Sequence, residues 1–368
     1  MKFFNLDLHI GVIGDIKKIL TDLGHEVEDW TLSGHAWVLG RERDPVDVID
    51  HRNWRSIDQA MADAFYARYR DRLADVDAFI VTHTPCFATL FERWNKPIIT
   101  VASTRYEHPF TYDRLRWEWL NAFLVRGIDS GQIVPLANNK YDAQYAQLFT
   151  QRLWQVIPSM CEYTDIKYAP VHDRFVTFSK VDVAIGDARF VSRDKFKPNW
   201  LRRKINHIPF VPKSLGFSWT EMGKHKGIVH FPYNASIMSI FEHYSANIPL
   251  LFPTKEYAVE MLRNAQAGIF SELSFTQVLK GPTGSTLPVP DPDPNNYDDY
   301  DGLAKWIELS DFYDPSSMPH LTYFSSIDNL KEIVSNLDFV SISNKMDSAN
   351  NERRSRVYAA WRDVVARI

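Results

Sequence analysis

The sequence predicts an α/β protein with two halves, each a doubly wound parallel sheet. Three observations carry this expectation. The chain opens with a strand, a turn, a helix and a second strand. The same alternation restarts near Val171. Its 368 residues are long for one domain and comfortable for two.

In order, Lys2–Leu8 reads as a buried strand, His9–Gly14 as a turn, Asp15–Leu23 as a helix stopped by Gly24, and His25–Leu32 as a second strand. Ile57–Leu73 reads as a polar-faced helix. Ala78–Thr82 is a short apolar strand whose loop, His83 to Phe87, leads into a helix over Ala88–Trp94. Ile98–Ala102, Val134–Leu136 and Val156–Pro158 read as strands, and Leu115–Arg126 and Asp142–Trp154 as helices.

In the second series, Phe175–Phe178, Val181–Ile185, His207–Val211, Ile228–Phe231 and Leu250–Phe252 are strand-like. Ser236–Ser245 and Tyr257–Ala265 are helical. Lys280–Gly302 is rich in Pro, Gly and Asp and reads as a solvated loop; it lacks the Glu-terminated spacing of a calcium hand. Val357, Trp361, Val364, Val365 and Ile368 form one stripe of a terminal helix whose apolar face must pack on something.

Composition narrows the function classes. A formal net charge of −4 gives no basic footprint for tight duplex binding. Two cysteines, Cys86 and Cys161, cannot build a disulfide framework and suit a reducing compartment. The first residues lack the pattern of a signal peptide, and no segment approaches the length of a membrane span, so a cytoplasmic location is expected. Phosphate-loop, H-E-x-x-H, C-x-x-C and G-x-S-x-G motifs are absent, and His9–Gly14 lacks the full dinucleotide fingerprint.

Open α/β sheets bind ligands beyond the carboxyl ends of their strands. The residues there are His9–Gly14, Ser33–Trp37, His83–Pro85 and Ser103–Arg105 in the first half, and Pro232–Ser236 in the second. Ser236 can cap the helix it opens, and a helix N-terminus favours an anion such as a diphosphate. Glu242 lies farther down that helix, in a segment otherwise apolar or small, where a carboxylate could accept hydrogen bonds from a diol such as ribose. The bland alternative is an N-cap serine and a paired structural acid.

The segment His230-Phe-Pro-Tyr-Asn-Ala-Ser-Ile-Met-Ser-Ile-Phe-Glu242, followed by Ser245-Ala-Asn-Ile-Pro249 and an apolar strand, resembles the donor-binding segment of retaining GT-B glycosyltransferases. Where that family often carries a first Glu, this chain has Asn234. Ala78–Thr104, with its strand, loop, helix, Lys-Pro and second strand, is similar to a first-domain segment of such enzymes.

The resemblance implies a GT-B fold: two Rossmann-like domains facing each other across a cleft, with a C-terminal helix crossing back. The corresponding boundaries are 1–170 for the acceptor domain, 171–345 for the donor domain and 346–368 for the helix. It implies that Glu242 holds ribose hydroxyls, and that Tyr233, Asn234, Ala235, Ser236 and Ser239 contact the phosphate or sugar. The expected partners are a nucleoside-diphosphate sugar as co-substrate and a glycan or other hydroxyl acceptor, with no cofactor and no metal.

Without a metal, the leaving diphosphate needs cations or helix N-termini. Lys213, Lys224 and Lys226 are the candidates, with Arg189 and Arg193 behind them. On the acceptor side stand His9, Gly11, His35 and Arg105. Retention is the expected stereochemistry; an inverting reaction would need a base, for which His83 and Asp7 come first.

Three alternatives stay open. A DNA-modifying glycosyltransferase would use a basic face around Arg68, Arg70, Arg72 and Arg105. A sugar-nucleotide epimerase of the same fold would need no acceptor. A non-catalytic protein would bind a sugar or nucleotide only. The basic run Trp200–His207 reads as a solvated helix face rather than a membrane or nucleic-acid contact.

Overall fold

A computed structural model describes residues 1–179, 185, 189–192, 219–273, 287 and 290–368. The expected strand His207–Val211, the basic run Trp200–His207, Arg193 and Lys213 lie outside these residues, as does Val181–Ile185 except for Ile185. The chain forms two compact units. The first is Met1–Ser159 with Phe275–Asn295 and Ser355–Ile368; the second is Met160–Ser274 with Asn296–Arg354.

The first unit is built on six parallel strands: β1 (Lys2–Asp7), β2 (Glu26–Thr31), β3 (Ala78–Val81), β4 (Ile98–Ala102), β5 (Ile133–Ala137) and β6 (Gln155–Val156). Their order is β2-β1-β3-β4-β5-β6. β3 (AFIV) and β4 (IITVA) are buried along their whole length, as strands covered on both faces must be. Helices α1 (Ile10–Asp22), α2 (Gln59–Tyr69), α3 (Arg114–Asp129) and α4 (Lys140–Thr150) supply much of that cover. Asp58, Asp113 and Asn139 cap the last three through their side chains.

Two elements differ from expectation. His9–Gly14 is not a turn: α1 starts at Ile10, directly after His9, which serves as N-cap. Ile10, Val12, Ile13 and Ile16 bury the first turns, and that burial outweighs the two glycines. The helix expected at Ala88–Trp94 is instead a 3₁₀ run, Pro85–Trp94. Its buried aromatic Phe91 stacks on Phe79 of β3 with ring centroids 4.4 Å apart.

Among its described residues the second unit has five parallel strands, β7 (His172–Phe178), β8 (Phe190–Ser192), β9 (His225–His230), β10 (Leu250–Pro253) and β11 (Thr322–Phe324), in the order β11-β10-β9-β7-β8. Its helices among the described residues are α5 (Trp219–Gly223), α6 (Met238–Ser245), α7 (Lys255–Arg263), α8 (Tyr300–Ile307) and α9 (Ile327–Asn336). The last helix, α10 (Phe339–Val365), begins in the second unit and ends in the first. Two parallel sheets with helices are the α/β architecture expected. No helix among the described residues is long and apolar enough to cross a membrane.

Candidate functional site

In each sheet the chain reverses its direction of growth once. β1 is flanked by β2 and β3 in the first sheet, and β7 by β8 and β9 in the second. The crevices at the carboxyl ends of β1/β3 and of β7/β9 are the switch points where open α/β sheets receive ligands.

At the first switch point Asp7 ends β1 and is wholly buried. Its Oδ2 accepts the backbone N–H groups of Thr82 and His83, both at 2.9 Å, and of Thr84 at 3.3 Å; its Oδ1 accepts from Leu8 at 2.7 Å. The carboxylate thus holds the loop after β3 in place. Burial raises its pKa to about 6, against those four hydrogen bonds, which favour the ionised form. With no exposed surface, Asp7 positions its neighbours rather than meeting a ligand.

Four histidines stand at the carboxyl ends of four strands: His35 after β2, His9 after β1, His83 after β3 and His108 after β4. The rings of His9 and His83 lie 5.2 Å apart. His9, His83 and His108 are half-buried and His35 is exposed. Burial first, and for His9 the nearby His35, lowers the pKa of His9 to about 4. Burial also takes His108 to about 4, with Arg55 and Arg105 adding to the effect. His83 is drawn well below the ordinary value by burial and then by His9 and His108, and His35 is lowered by burial. At neutral pH the cluster is a set of uncharged imidazoles, able both to donate and to accept hydrogen bonds.

The N–H of Val12 donates to His9 Nδ1 at 3.4 Å, so the neutral ring carries its proton on Nε2. His83 Nδ1 lies 2.8 Å from Thr84 Oγ1 and 4.0 Å from Asp7 Oδ1. Sequence reasoning missed His108; the loop after β4 was recognised, but only as far as Arg105.

Two acceptor-side expectations are corrected. Arg105 is buried, 2% exposed, and paired with Glu107 at 2.6 Å. A guanidinium lodged beside a carboxylate and Tyr145 serves the interior of the first unit. Gly11 is buried in the first turn of α1. Arg68, Arg70 and Arg72 are exposed but each has an acidic neighbour, Asp47, Asp71 and Glu28.

At the second switch point the loop after β9 runs Phe231–Ile237 into α6. It is anchored through its backbone: Phe231 N–H donates to Phe178 of β7 (2.8 Å), and the carbonyls of Pro232 and Tyr233 accept from Phe270 and Glu272 (2.7 and 2.8 Å). Asn234 is 8% exposed and accepts the N–H of Ala235 at 2.7 Å; Ala235 is buried, and Tyr233, Ser236 and Ser239 are half-buried. The expected cap is corrected. The N-cap is Ile237, extended and without a side-chain cap, so Ser236 lies one residue outside it. Ile237 and Ile240 are buried, and this apolar anchoring sets where the helix begins.

Glu242 is 8% exposed in the middle of α6. Its Oε1 accepts from the Tyr163 hydroxyl at 2.5 Å and its Oε2 from Trp219 Nε1 at 3.2 Å. Beneath it His243 Nδ1 lies 3.2 Å from His230 Nε2, linking α6 to the end of β9. The sequence gives no sign of the tyrosine and tryptophan partners, because each comes from a distant stretch of chain.

Of the expected cations, the three among the described residues pair elsewhere. Lys224 precedes β9 and pairs with Glu221; Lys226 is the second residue of β9 and pairs with Asp173. Lys226 lies roughly four residues (~13 Å) and Lys224 roughly six residues (~20 Å) before the carboxyl end at His230. Arg189 precedes β8 and donates to Ser335 Oγ. Among the described residues no group of three or more His, Cys, Asp or Glu side chains is arranged to hold a metal ion.

No protein-family model matches the sequence, and no curated protein matches it. Among solved structures, the chain is similar to the glycotransferase of kitacinnamycin at 10% identity, over 100% of this chain and 99% of that one, with a TM-score of 0.44. It is similar to the glycosyltransferase SnogD from Streptomyces nogalater at 10% identity, over 100% and 99%, with a TM-score of 0.45. It is also similar to the spinosyn rhamnosyltransferase SpnG complexed with thymidine diphosphate at 14% identity, over 99% and 100%, with a TM-score of 0.37. With TM-scores below 0.5, none of these likenesses supports more than is already visible in the two sheets.

Proposed function

We propose that the protein is a GT-B glycosyltransferase that moves a sugar from a nucleoside diphosphate to a hydroxyl acceptor. The observation that carries this reading is the pair of switch points. One ends in a buried-backbone loop, a helix N-terminus and a carboxylate; the other ends in a cluster of neutral imidazoles. In the second unit, the start of α6 takes the diphosphate and Glu242 takes the ribose hydroxyls. Asn234, Ser236 and Ser239 supply uncharged hydrogen bonds nearby, as does Tyr233.

In the first unit, His83 serves as the base. Asp7, ionised at pH 7 and 4.0 Å from Nδ1, favours the proton on Nδ1, leaving the Nε2 lone pair for the acceptor hydroxyl. The hydroxyl proton passes to Nε2, the acceptor oxygen bonds to the anomeric carbon, and the bond to diphosphate breaks with the electrons leaving on the phosphate. His9, protonated on Nε2, donates to an acceptor oxygen and helps orient it.

A base-assisted displacement inverts the anomeric centre. This reading therefore favours inversion over the retention expected from the sequence resemblance. No metal or cofactor enters it.

The test is calorimetry with uridine, guanosine, adenosine, cytidine and thymidine diphosphates, followed by turnover of the matching sugar nucleotides with product anomers read by NMR. Binding of at least one nucleotide, and inverted product, are expected. Absence of heat with all five removes the proposal, and a retained product removes His83 as base.

A further inference from the structure

The two oxygens of Glu242 are occupied in a distinctive way. Each accepts from a different side chain: Oε1 from the Tyr163 hydroxyl, Oε2 from the Trp219 indole. A vicinal diol presents the same pattern, two donors delivered one to each oxygen of a carboxylate. We propose that Tyr163 and Trp219 are placeholders: they hold the diol position on Glu242 until a ligand's diol displaces them. This rests on the reading of Glu242 as the ribose-binding acid.

The elements that carry the three residues fit such an exchange. Glu242 sits in α6, which α10 braces: Asn350 Nδ2 donates to the carbonyl of Tyr244 at 2.8 Å, and the Arg353 guanidinium lies over the rings of Phe241 and Tyr244. The placeholders come from short pieces. Trp219 opens α5, a helix of five residues. Tyr163 is the middle of a three-residue 3₁₀ turn, Glu162–Thr164. That turn is bracketed by Cys161 and Asp165, both left-handed at φ 55° and 48°, a backbone state that non-glycine residues hold at an energetic cost. The two rings meet edge to face, 5.8 Å apart, so movement of one disturbs the other. The acid sits on a braced helix, and these two donors sit on small elements.

Displacement has a measurable signature. A site competent only when its internal donors have left binds with an affinity reduced by the competent fraction. Removing the Tyr163 hydroxyl raises that fraction, so Tyr163→Phe is expected to bind the nucleoside diphosphate about tenfold more tightly. An ordinary binding or packing role predicts the reverse sign or no change.

The experiment is calorimetry of the tightest-binding nucleoside diphosphate with wild type, Glu242→Gln and Tyr163→Phe, each checked for folding by circular dichroism. Weakened binding in Glu242→Gln with tightened binding in Tyr163→Phe supports the proposal. Weakened binding in Glu242→Gln with unchanged or weaker binding in Tyr163→Phe overturns the placeholder role alone. Unchanged affinity in Glu242→Gln, or no binding by wild type, overturns the underlying reading and the placeholder with it. If Tyr163→Phe does not fold, tryptophan emission decides. Wild type should shift its emission on nucleotide addition and Trp219→Phe should lose that shift; an identical shift in both overturns the proposal.

Discussion

Asp7 and the histidines above it pull the acid stability of the first unit in opposite directions. Asp7 has a folded pKa of about 6 against an ordinary 3.8, so folding holds its proton more tightly. Its favourable contribution is complete below about pH 4 and is lost as pH rises through about 6. His9 and His108, at about 4 against 6.5, contribute the other way: their stabilisation is present above 6.5 and is lost as pH falls through about 4. In wild type the Asp7 gain therefore offsets part of the histidine loss between pH 6 and 4. Asp7→Asn keeps an acceptor for the loop N–H groups but removes the titration. Wild type should gain on the order of 2 kcal/mol relative to this variant from pH 6 to pH 4, read by urea unfolding at each pH. A constant gap would mean that Asp7 does not titrate in this window. His83→Gln should leave nucleotide affinity unchanged while lowering turnover by about 10²- to 10⁴-fold, measured under saturating donor. The placement of His83 just past a strand and of Glu242 within a helix is legible in the sequence, because each follows a strand within a polar or small-residue stretch. Tyr163, Trp219 and His108 were not, since proximity across dozens of residues leaves no local pattern.

At the scale of elements, most strands could be read because a parallel strand covered on both faces is a short continuous apolar run, as in AFIV and IITVA. Helix starts were harder. The glycines of His9–Gly14 suggested a turn, yet the burial of Ile10, Val12 and Ile13 makes it the first turn of α1. Ser236 suggested a cap, yet Ile237 takes that position without any side-chain bond. β11 and α9 give no recognised pattern, and the first residues of α8, Tyr300–Gly302, read as the end of the loop Lys280–Gly302, because a three-residue strand and two short helices carry too few periodic positions. Packing also explains a residue that pattern leaves silent. Gly227, in β9, faces β10 so closely that a Cβ would stand 2.7 Å from the carbonyl oxygen of Pro249 and 3.4 Å from the Phe175 ring. Gly227→Ala should therefore push β9 from β10 and destabilise the second unit by about 1–3 kcal/mol. Because β9 leads directly into the Phe231–Ile237 loop, nucleotide affinity should fall in the same variant. Unchanged melting would show that the strands separate without penalty.

For the whole molecule, the path of the chain matters more than either sheet. The first unit is assembled from three separated stretches, and the last of them, Ser355–Ile368, arrives only after the second unit is complete. That stretch is no loose tail. Val357, Trp361 and Val364 are at most 2% exposed, and the Tyr358 hydroxyl donates to Asp22 of α1 at 2.8 Å. The apolar stripe read from the sequence thus has its cover within the first unit. Emptying the Trp361 site by Trp361→Ala should destabilise that unit by about 3–5 kcal/mol, the scale of a large aromatic removed from a closed core. The loss should be local in sequence but not at the chain end. Hydrogen exchange should accelerate in peptides spanning β1 and α1, more than 330 residues before the substitution by the spacing of Asp22 and Tyr358, while β9 and β10 keep their protection. Equal acceleration in both units would mean that α10 couples them into one cooperative body, and the two-unit division would have to be abandoned for stability even though it holds for packing.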